Sequence, residues 1–373
     1  MTKMKVSYSY LLEQFNNPDP ILEDIKKLVK TGDFTLGKPL EEFEKLFAQY
    51  IGAKYAVGVG TGTDALRLSL IALGIKAGDE VITAVNTFYS TAAAIVTTGG
   101  KPVFVDVSDD YVMNVSLIEN AITKNTKAII PVHLNGCPVD MDFILKIADK
   151  YNLNIIEDTC QAIGAEINNK KVGSYGDTGC FSLHPLKNIN VWGDGGLILT
   201  NSKIIRDKLL MLRNNGLINR DECEVYAYNC RLDTMQAVVG IHIIKDIESI
   251  TRKRVENGKF YDSELSKISE ITIPPRNKKI KNVHHNYIMM AKRRDKLLKY
   301  LIKNGIDAKI HYPIPLHLQP AYVNLGFKQG SFPVSETLAK EILSIPIYPE
   351  LTEDQRAYIV YNINRFFNKV SKK

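Results

Sequence analysis

Apolar and polar positions follow two rhythms in the first half of the chain. Short apolar runs of strand length occupy residues 55–59, 102–107, 128–132 and 154–156, and another opens at Asp79-Glu80-Val81-Ile82. Between them, residues 64–73, 91–98 and 141–151 carry helical spacing, the second ending at Gly99-Gly100. Strands apolar on both faces, alternating with helices, predict an α/β fold with a mostly parallel sheet covered on both sides. The rhythm changes near residue 200. Long charged helical patterns run over 203–214 and 232–267. Residues 271–282, rich in Pro, Arg and Lys, predict a connector. A strand over 287–291, a helix over 294–304, a Pro- and His-rich loop over 311–320 and a terminal helix over 353–367 follow. This order predicts a large domain over 1–250 and a smaller α+β domain over 251–373.

Composition narrows the class. Hydrophobic residues make up 45% and charged residues 24%, which excludes a disordered chain. The net charge of +7 is spread along the chain, slightly denser at Lys369, Lys372 and Lys373, and predicts a solvated surface with no nucleic-acid partner. No apolar run approaches ~18–20 residues, so no membrane span is expected. Residues 1–10 lack the apolar core and small-residue cleavage site of a secretory signal. The five cysteines, Cys137, Cys160, Cys180, Cys223 and Cys230, are odd in number, irregularly spaced and free of CxxC pairs. They predict neither a disulfide framework nor a metal site, and a cytoplasmic location.

Three segments carry candidate chemistry. Asp158 closes the run Ile155-Ile156-Glu157-Asp158, at the strand end where open parallel sheets bind ligands; an ordinary helix N-cap is the competing reading. Gln161 follows one helical turn later. Lys187 lies in a short loop between the strand-like Cys180-Phe181-Ser182 and the apolar run 195–200. A lysine desolvated there becomes a nucleophile toward carbonyls, whereas most lysines are solvated surface residues. Gly60-Thr61-Gly62-Thr63-Asp64 leads from a strand into a helix, where free N–H groups and the helix dipole suit a phosphate. It is neither a P-loop nor a dinucleotide fingerprint, and alone reads more readily as an ordinary capped turn. A phosphate cradle, an acid for a ring nitrogen and a lysine for a Schiff base are together what pyridoxal 5'-phosphate requires.

The stretches Gly62-Thr63-Asp64-Ala65-Leu66, Asn86-Thr87-Phe88, 102–106, Pro131-Val132-His133, Glu157-Asp158-Thr159-Cys160-Gln161-Ala162, 181–188, Asn229-Cys230-Arg231-Leu232 and 311–320 run in one order over nearly the whole chain. In this the chain resembles the DegT/DnrJ/EryC1/StrS family of sugar aminotransferases. The resemblance implies the type I fold of pyridoxal-phosphate-dependent transferases, like that of aspartate aminotransferase. It also implies an amino group moved from a donor, L-glutamate, to a keto group of a nucleotide-linked deoxysugar for surface polysaccharide or a glycosylated metabolite. Lys187 would hold the cofactor, Asp158 pair with its ring nitrogen, Gln161 lie beside its phenolic oxygen and Phe88 stack on its ring. Gly62, Thr63, Asp64 and Ser182 would cradle the phosphate, and Asn229 would reach the neighbouring subunit's phosphate, making a homodimer with shared sites. His184, His311, Tyr312 and His317 would contact the sugar, and the turn Arg213-Asn214-Asn215-Gly216 would lie near the nucleotide. The usual Gly-Glu-Gly-Gly reads Gly193-Asp194-Gly195-Gly196 here, with Trp192 expected near the cofactor. Two alternatives remain at this stage: a dehydratase, whose members carry His at the lysine position, and a regulatory protein that only binds the cofactor.

Overall fold

A computed structural model describes residues 3–370; Lys372 and Lys373 of the basic C-terminus lie outside them. The central sheet has seven strands: β1 (Tyr55–Val59), β2 (Glu80–Ala84), β3 (Lys101–Val105), β4 (Thr126–Ile130), β5 (Asn154–Asp158), β6 (Thr178–Ser182) and β7 (Gly196–Thr200). Their spatial order is β1-β7-β6-β5-β4-β2-β3. Strands β6, β5, β4, β2 and β3 pair in parallel, and β7 runs antiparallel to both β6 and β1. The expected mostly parallel sheet is therefore present, with β7 as its reversed strand.

The apolar runs are continuous because both faces are covered. Along β7, Leu197 and Leu199 join a cluster with Phe43, Phe47 and Ala237, while Ile198 between them joins the cluster on the opposite face. Side chains of successive strand residues point to opposite faces, so a strand buried twice needs apolar residues at every position. The first cluster is built by helices Lys38–Ile51 and Thr234–Ile244. Phe43, Phe47 and Phe181 are fully buried there, each worth about 2–3 kcal/mol of apolar transfer.

The continuous helical pattern expected over 232–267 is interrupted. Thr234–Ile244 ends at Lys245, and Ile247–Leu265 starts after Asp246. The first piece is apolar and packs on the sheet; the second is charged. The expected connector over 271–282 contains two short strands. Ile271–Thr272 pairs with Tyr287–Ala291, and Ile280–Lys281 pairs with Glu166–Ile167 of the large lobe. Two-residue strands are too short to leave a period in the sequence.

In the C-terminal lobe, β8 (Ile271–Thr272), β9 (Tyr287–Ala291) and β10 (Ile342–Ile345) form an antiparallel sheet in that order. Helices Arg294–Lys303 and Glu353–Val370 pack against it through Leu297, Leu301, Ile359 and Ile363. Val6 and Tyr10 belong to the same cluster. Val6 bridges Ile306 in parallel, its N–H donating to the Gly305 carbonyl at 2.8 Å while the Asp307 N–H donates back at 3.0 Å. Residue 250 lies within the helix Ile247–Leu265, whose Ile247 joins the large-lobe cluster and whose Tyr261 and Leu265 join this one.

Candidate active site

The parallel strands end on one side of the sheet, and the loops after them surround a cavity of about 450 Å³. Lining it are Gly62, Thr63, Phe88, Asp158, Gln161, Ser182, His184, Lys187, His311 and Tyr312, so one space unites residues from 250 positions of sequence. Three other candidates lie elsewhere. Asp64 and Asn229 line a second cavity, together with Arg67 and Arg231. His317 is buried in a satellite cluster, its ring at 4.8 Å from that of Phe332 and its Nε2 at 3.0 Å from Glu336. Trp192 packs edge-on against Phe15 and does not line the lysine cavity. Arg213 holds the Gly58 carbonyl at 2.9 Å and pairs with Glu44, and thus braces β1 from within.

One end of the cavity is an anion cradle. Helix Gly62–Ala72 is capped by Thr61, whose Oγ1 accepts the Asp64 N–H at 2.9 Å. The Ala65 N–H goes to the Thr61 carbonyl. The first two N–H groups of the helix, on Gly62 and Thr63, have no protein acceptor among the described residues and sit at the positive end of its dipole. This corrects the expectation for Asp64, whose N–H is already bonded and whose side chain turns to Arg67 at 2.6 Å. Ser182 stands opposite, its Oγ accepting from the His184 N–H at 3.4 Å and keeping its own proton to donate. The approach is close: a Cβ on Gly62 would meet Ser182 Cβ at 2.8 Å and Cys160 Sγ at 2.9 Å.

The middle holds the reactive groups. Lys187 is carried by the β6–β7 connection, its N–H donating to the His184 carbonyl at 2.8 Å. Burial pushes its ammonium below the usual lysine range, partly opposed by Cys160 and Asp158. Asp158 at the end of β5 is held on both oxygens: Oδ1 accepts the Cys160 N–H at 3.2 Å, and Oδ2 accepts the Thr91 hydroxyl at 2.8 Å. Thr91 Oγ1 lies 3.0 Å from Thr87 Oγ1, so the proton order is Thr87 to Thr91 to Asp158. Gln161 Oε1 accepts the Asn135 N–H at 2.9 Å, and its Nε2 donates to the Tyr312 hydroxyl at 3.0 Å. Asn135 has a φ of 57°, a left-handed conformation that Asn tolerates.

Phe88 is 37% exposed, too open for a core residue, and its ring faces the cavity mouth at 6.0 Å from that of Tyr312. His311 accepts or donates at 2.9 Å with Ser344, and burial, with the Lys187 and Lys309 charges, holds it down at about 4. Burial and the Lys187 charge also lower His184. The sequence reading passed over Thr91, Thr87, His285 and Asn286, all of which line this cavity. The i, i+4 spacing of the two threonines could have shown the first pair; nothing local marks the second, which comes from the other lobe.

A flat aromatic aldehyde carrying a phosphate fits these groups. The Gly62–Ser182 cradle would hold its phosphate, Lys187 its carbonyl, Asp158 its ring nitrogen, and Phe88 its face. A phosphate cradle, a half-buried amine and a fixed carboxylate at the C-terminal edge of a mostly parallel sheet define a transferase of the type I pyridoxal-phosphate fold.

The model of the DegT/DnrJ/EryC1/StrS aminotransferase family matches residues 18–364. The chain is 41% identical over 348 residues to UDP-N-acetyl-3-dehydro-alpha-D-glucosamine 3-aminotransferase of Acidithiobacillus ferrooxidans, covering 93% of this chain and 94% of that protein. It is 38% identical over 369 residues to the Pleiotropic regulatory protein of Geobacillus stearothermophilus, covering 98% and 99%. Among solved structures, S. venezuelae DesV in complex with a ketimine intermediate superimposes with a TM-score of 0.95 at 36% identity, covering 97% of this chain and 98% of that one. This chain belongs to the DegT/DnrJ/EryC1/StrS aminotransferase family.

Proposed function

We propose that the chain is a pyridoxal-phosphate-dependent aminotransferase that moves an amino group from an L-amino acid, L-glutamate by family resemblance, to a keto group of a nucleotide-linked sugar. The carrying observation is the meeting, in one cavity, of the half-buried Lys187 amine, the doubly held Asp158 carboxylate and the Gly62–Ser182 cradle. Five relatives bear names that place the nitrogen on carbon 3 of a UDP- or dTDP-linked hexose or hexuronate, which supports a 3-keto sugar as acceptor. Bound in the cavity, the cofactor supplies a carbonyl for the amine and an electron-withdrawing ring that spreads the negative charge left when a proton is removed.

The protein's own residues do the rest. Lys187, whose preference for charge is weakened by burial, is a base that carries a proton between the substrate carbon and the cofactor. Asp158 keeps a proton on the ring nitrogen, and Thr91 keeps Asp158 in place. Gly62, Thr63 and Ser182 neutralise the phosphate. His184, His311 and Tyr312 face the acceptor sugar. The two half-reactions share one site, so the kinetics are ping-pong.

The protein works as a homodimer, with the lobe boundary near residue 250. Support comes from Asn229: it stands outside its own lysine cavity, on a loop whose Tyr226 is fully exposed, where a second copy could be reached. No helix among the described residues is long and apolar enough to cross a membrane, and the five cysteines are free, in keeping with a cytoplasmic enzyme. The dehydratase reading is disfavoured because Lys187 retains its amine. A regulator that only held the cofactor would have no use for that amine as a base.

The test is borohydride reduction followed by peptide mapping. A reduced cofactor adduct on Lys187, and absorbance changes that L-glutamate drives and a 3-keto nucleotide sugar reverses, are expected. An adduct on another lysine refutes the assignment.

A further inference from the structure

The turn Leu134–Gly136 follows β4 and carries Asn135, which is buried and does not line the lysine cavity. Its backbone N–H nevertheless reaches a residue that does, donating to Gln161 Oε1 at 2.9 Å. A backbone N–H can only donate, so the Gln161 atom facing it is the oxygen. Turning that amide over would set two donors face to face. The NH2 side therefore looks toward Tyr312, whose hydroxyl accepts one hydrogen of Nε2 at 3.0 Å. Nε2 has a second hydrogen, and no protein group among the described residues takes it.

The C-terminal lobe holds the turn from outside the cavity. Asn135 Oδ1 accepts from Asn286 Nδ2 at 2.9 Å, and Asn286 Oδ1 accepts from the Tyr8 hydroxyl at 2.8 Å. The Val283 N–H donates to the Gly136 carbonyl at 3.1 Å. A Cβ on Gly136 would meet the backbone nitrogen of His284 at 2.8 Å, so the two segments lie directly on each other. The left-handed conformation of Asn135 is one most side chains avoid, and its N–H points at Gln161 only while the turn is held. The N-terminal stretch, the loop before β9 and the turn after β4 thus converge on a single N–H.

We propose that Asn135 is a positioning residue for the cofactor: clamped by the C-terminal lobe, it sets the Gln161 amide with its NH2 side toward the cavity, where the second hydrogen meets the cofactor's phenolic oxygen. The assignment rests on the pyridoxal-phosphate reading above and adds to it a residue that touches neither cofactor nor substrate. In that cofactor the hydroxyl-bearing and phosphate-bearing ring carbons flank the carbonyl-bearing one on opposite sides. With the phosphate in the Gly62–Ser182 cradle and the carbonyl at Lys187, the phenolic oxygen lies on the side away from the cradle. A donor there favours the anionic form of that oxygen. An amide turned the other way would set Oε1 against it and favour the protonated form. The packing of the two lobes is in this way felt as charge on the ring.

The test reads the bound cofactor rather than turnover. In the holoenzyme, the pH titration of the cofactor's absorbance has a midpoint that a donor to the phenolic oxygen holds down. Asn135→Gly keeps the N–H and permits the same φ but deletes the clamped side chain. It should raise the midpoint by about 0.5–1 pH unit, the worth of one hydrogen bond. Hydrogen exchange at the turn, followed by mass spectrometry, should quicken about tenfold. Asn135→Asp keeps Oδ1 and gives up only Nδ2, which has no partner, so it should bring both readings back. With Gln161→Ala already in place, Asn135→Gly should move the midpoint no further. An unmoved midpoint in folded Asn135→Gly, even with faster exchange, overturns the proposal. So does an equal shift on top of Gln161→Ala, or an Asn135→Asp enzyme as altered as the glycine variant. If Asn135→Gly does not fold, Asn286→Leu releases the clamp from its other side, and the same rise or its absence decides. Midpoints that move as expected in an enzyme that no keto sugar acts on keep the positioning role and sink the sugar assignment.

Discussion

Replacing Thr91 with valine tests how the cavity holds its carboxylate. The two side chains have the same shape, so the change removes one hydroxyl and little volume. That hydroxyl donates to Asp158 Oδ2 at 2.8 Å in a buried setting, and Thr87 stands behind it at 3.0 Å. A hydrogen bond to a charged group is worth about 1.5–3 kcal/mol. With one oxygen held only by the Cys160 N–H at 3.2 Å, the carboxylate can turn away from the ring nitrogen. If the loss is felt in the transition state, the rate falls about ten- to a hundredfold, at 1.36 kcal/mol per factor of ten. Single-turnover absorbance should show that loss in both half-reactions, since both use Asp158. Thr91→Ser restores the donor and should recover most of the rate. The pH titration of the cofactor's absorbance should move in the valine variant and return in the serine variant, which a merely structural threonine would not cause. Wild-type rates in a folded Thr91→Val enzyme, or a serine variant as slow as the valine one, would refute the positioning role.

Other outcomes follow from the same geometry. Gly62→Ala drives a Cβ to within 2.8 Å of Ser182 Cβ, so the cradle must open; cofactor affinity measured by fluorescence should fall at least tenfold. His317→Gln loses the buried contact with Glu336 at 3.0 Å, and should lower the thermal midpoint while changing the KM for the sugar by less than twofold. His311 is held at about 4 when folded against an ordinary 6.5, so the unfolded chain binds the proton more readily. Its contribution is therefore intact above about pH 6.5 and is lost as pH falls toward 4, by up to about 3 kcal/mol. Urea unfolding at pH 7.5 and pH 5 should show that slope, and His311→Gln should reduce it, leaving the share of His184, His284 and His285, which burial also lowers.

Much of the site was legible in the chain because its parts sit next to strand ends. Continuous apolar runs marked β1, β4 and β5 closely, and Lys187 stood out as a charge caught between two such runs. What escaped notice depended on distant packing. Helices Asp19–Thr31 and Lys38–Ile51 were not expected, although they build one face of the core, the first through Ile21 and the second through Phe43 and Phe47. His317 read as a sugar contact from its loop, yet its environment is set by Phe332 and Glu336 from a later segment. His285 and Asn286 reach the cavity from the other lobe, a closeness that spacing along the chain does not encode. The break at Lys245–Asp246 was hidden because charged and apolar helices share a period of 3.6 residues.

The pairing of Val6 with Ile306 has a bearing on biosynthesis. The partners are separated by 300 positions. At roughly 5–20 residues per second, Val6 waits about 15–60 s after its own synthesis for its mate to be made. During that interval Val6 and Tyr10 have no finished lobe to enter, so the nascent chain carries unburied apolar side chains there until the segment around Ile306 is made.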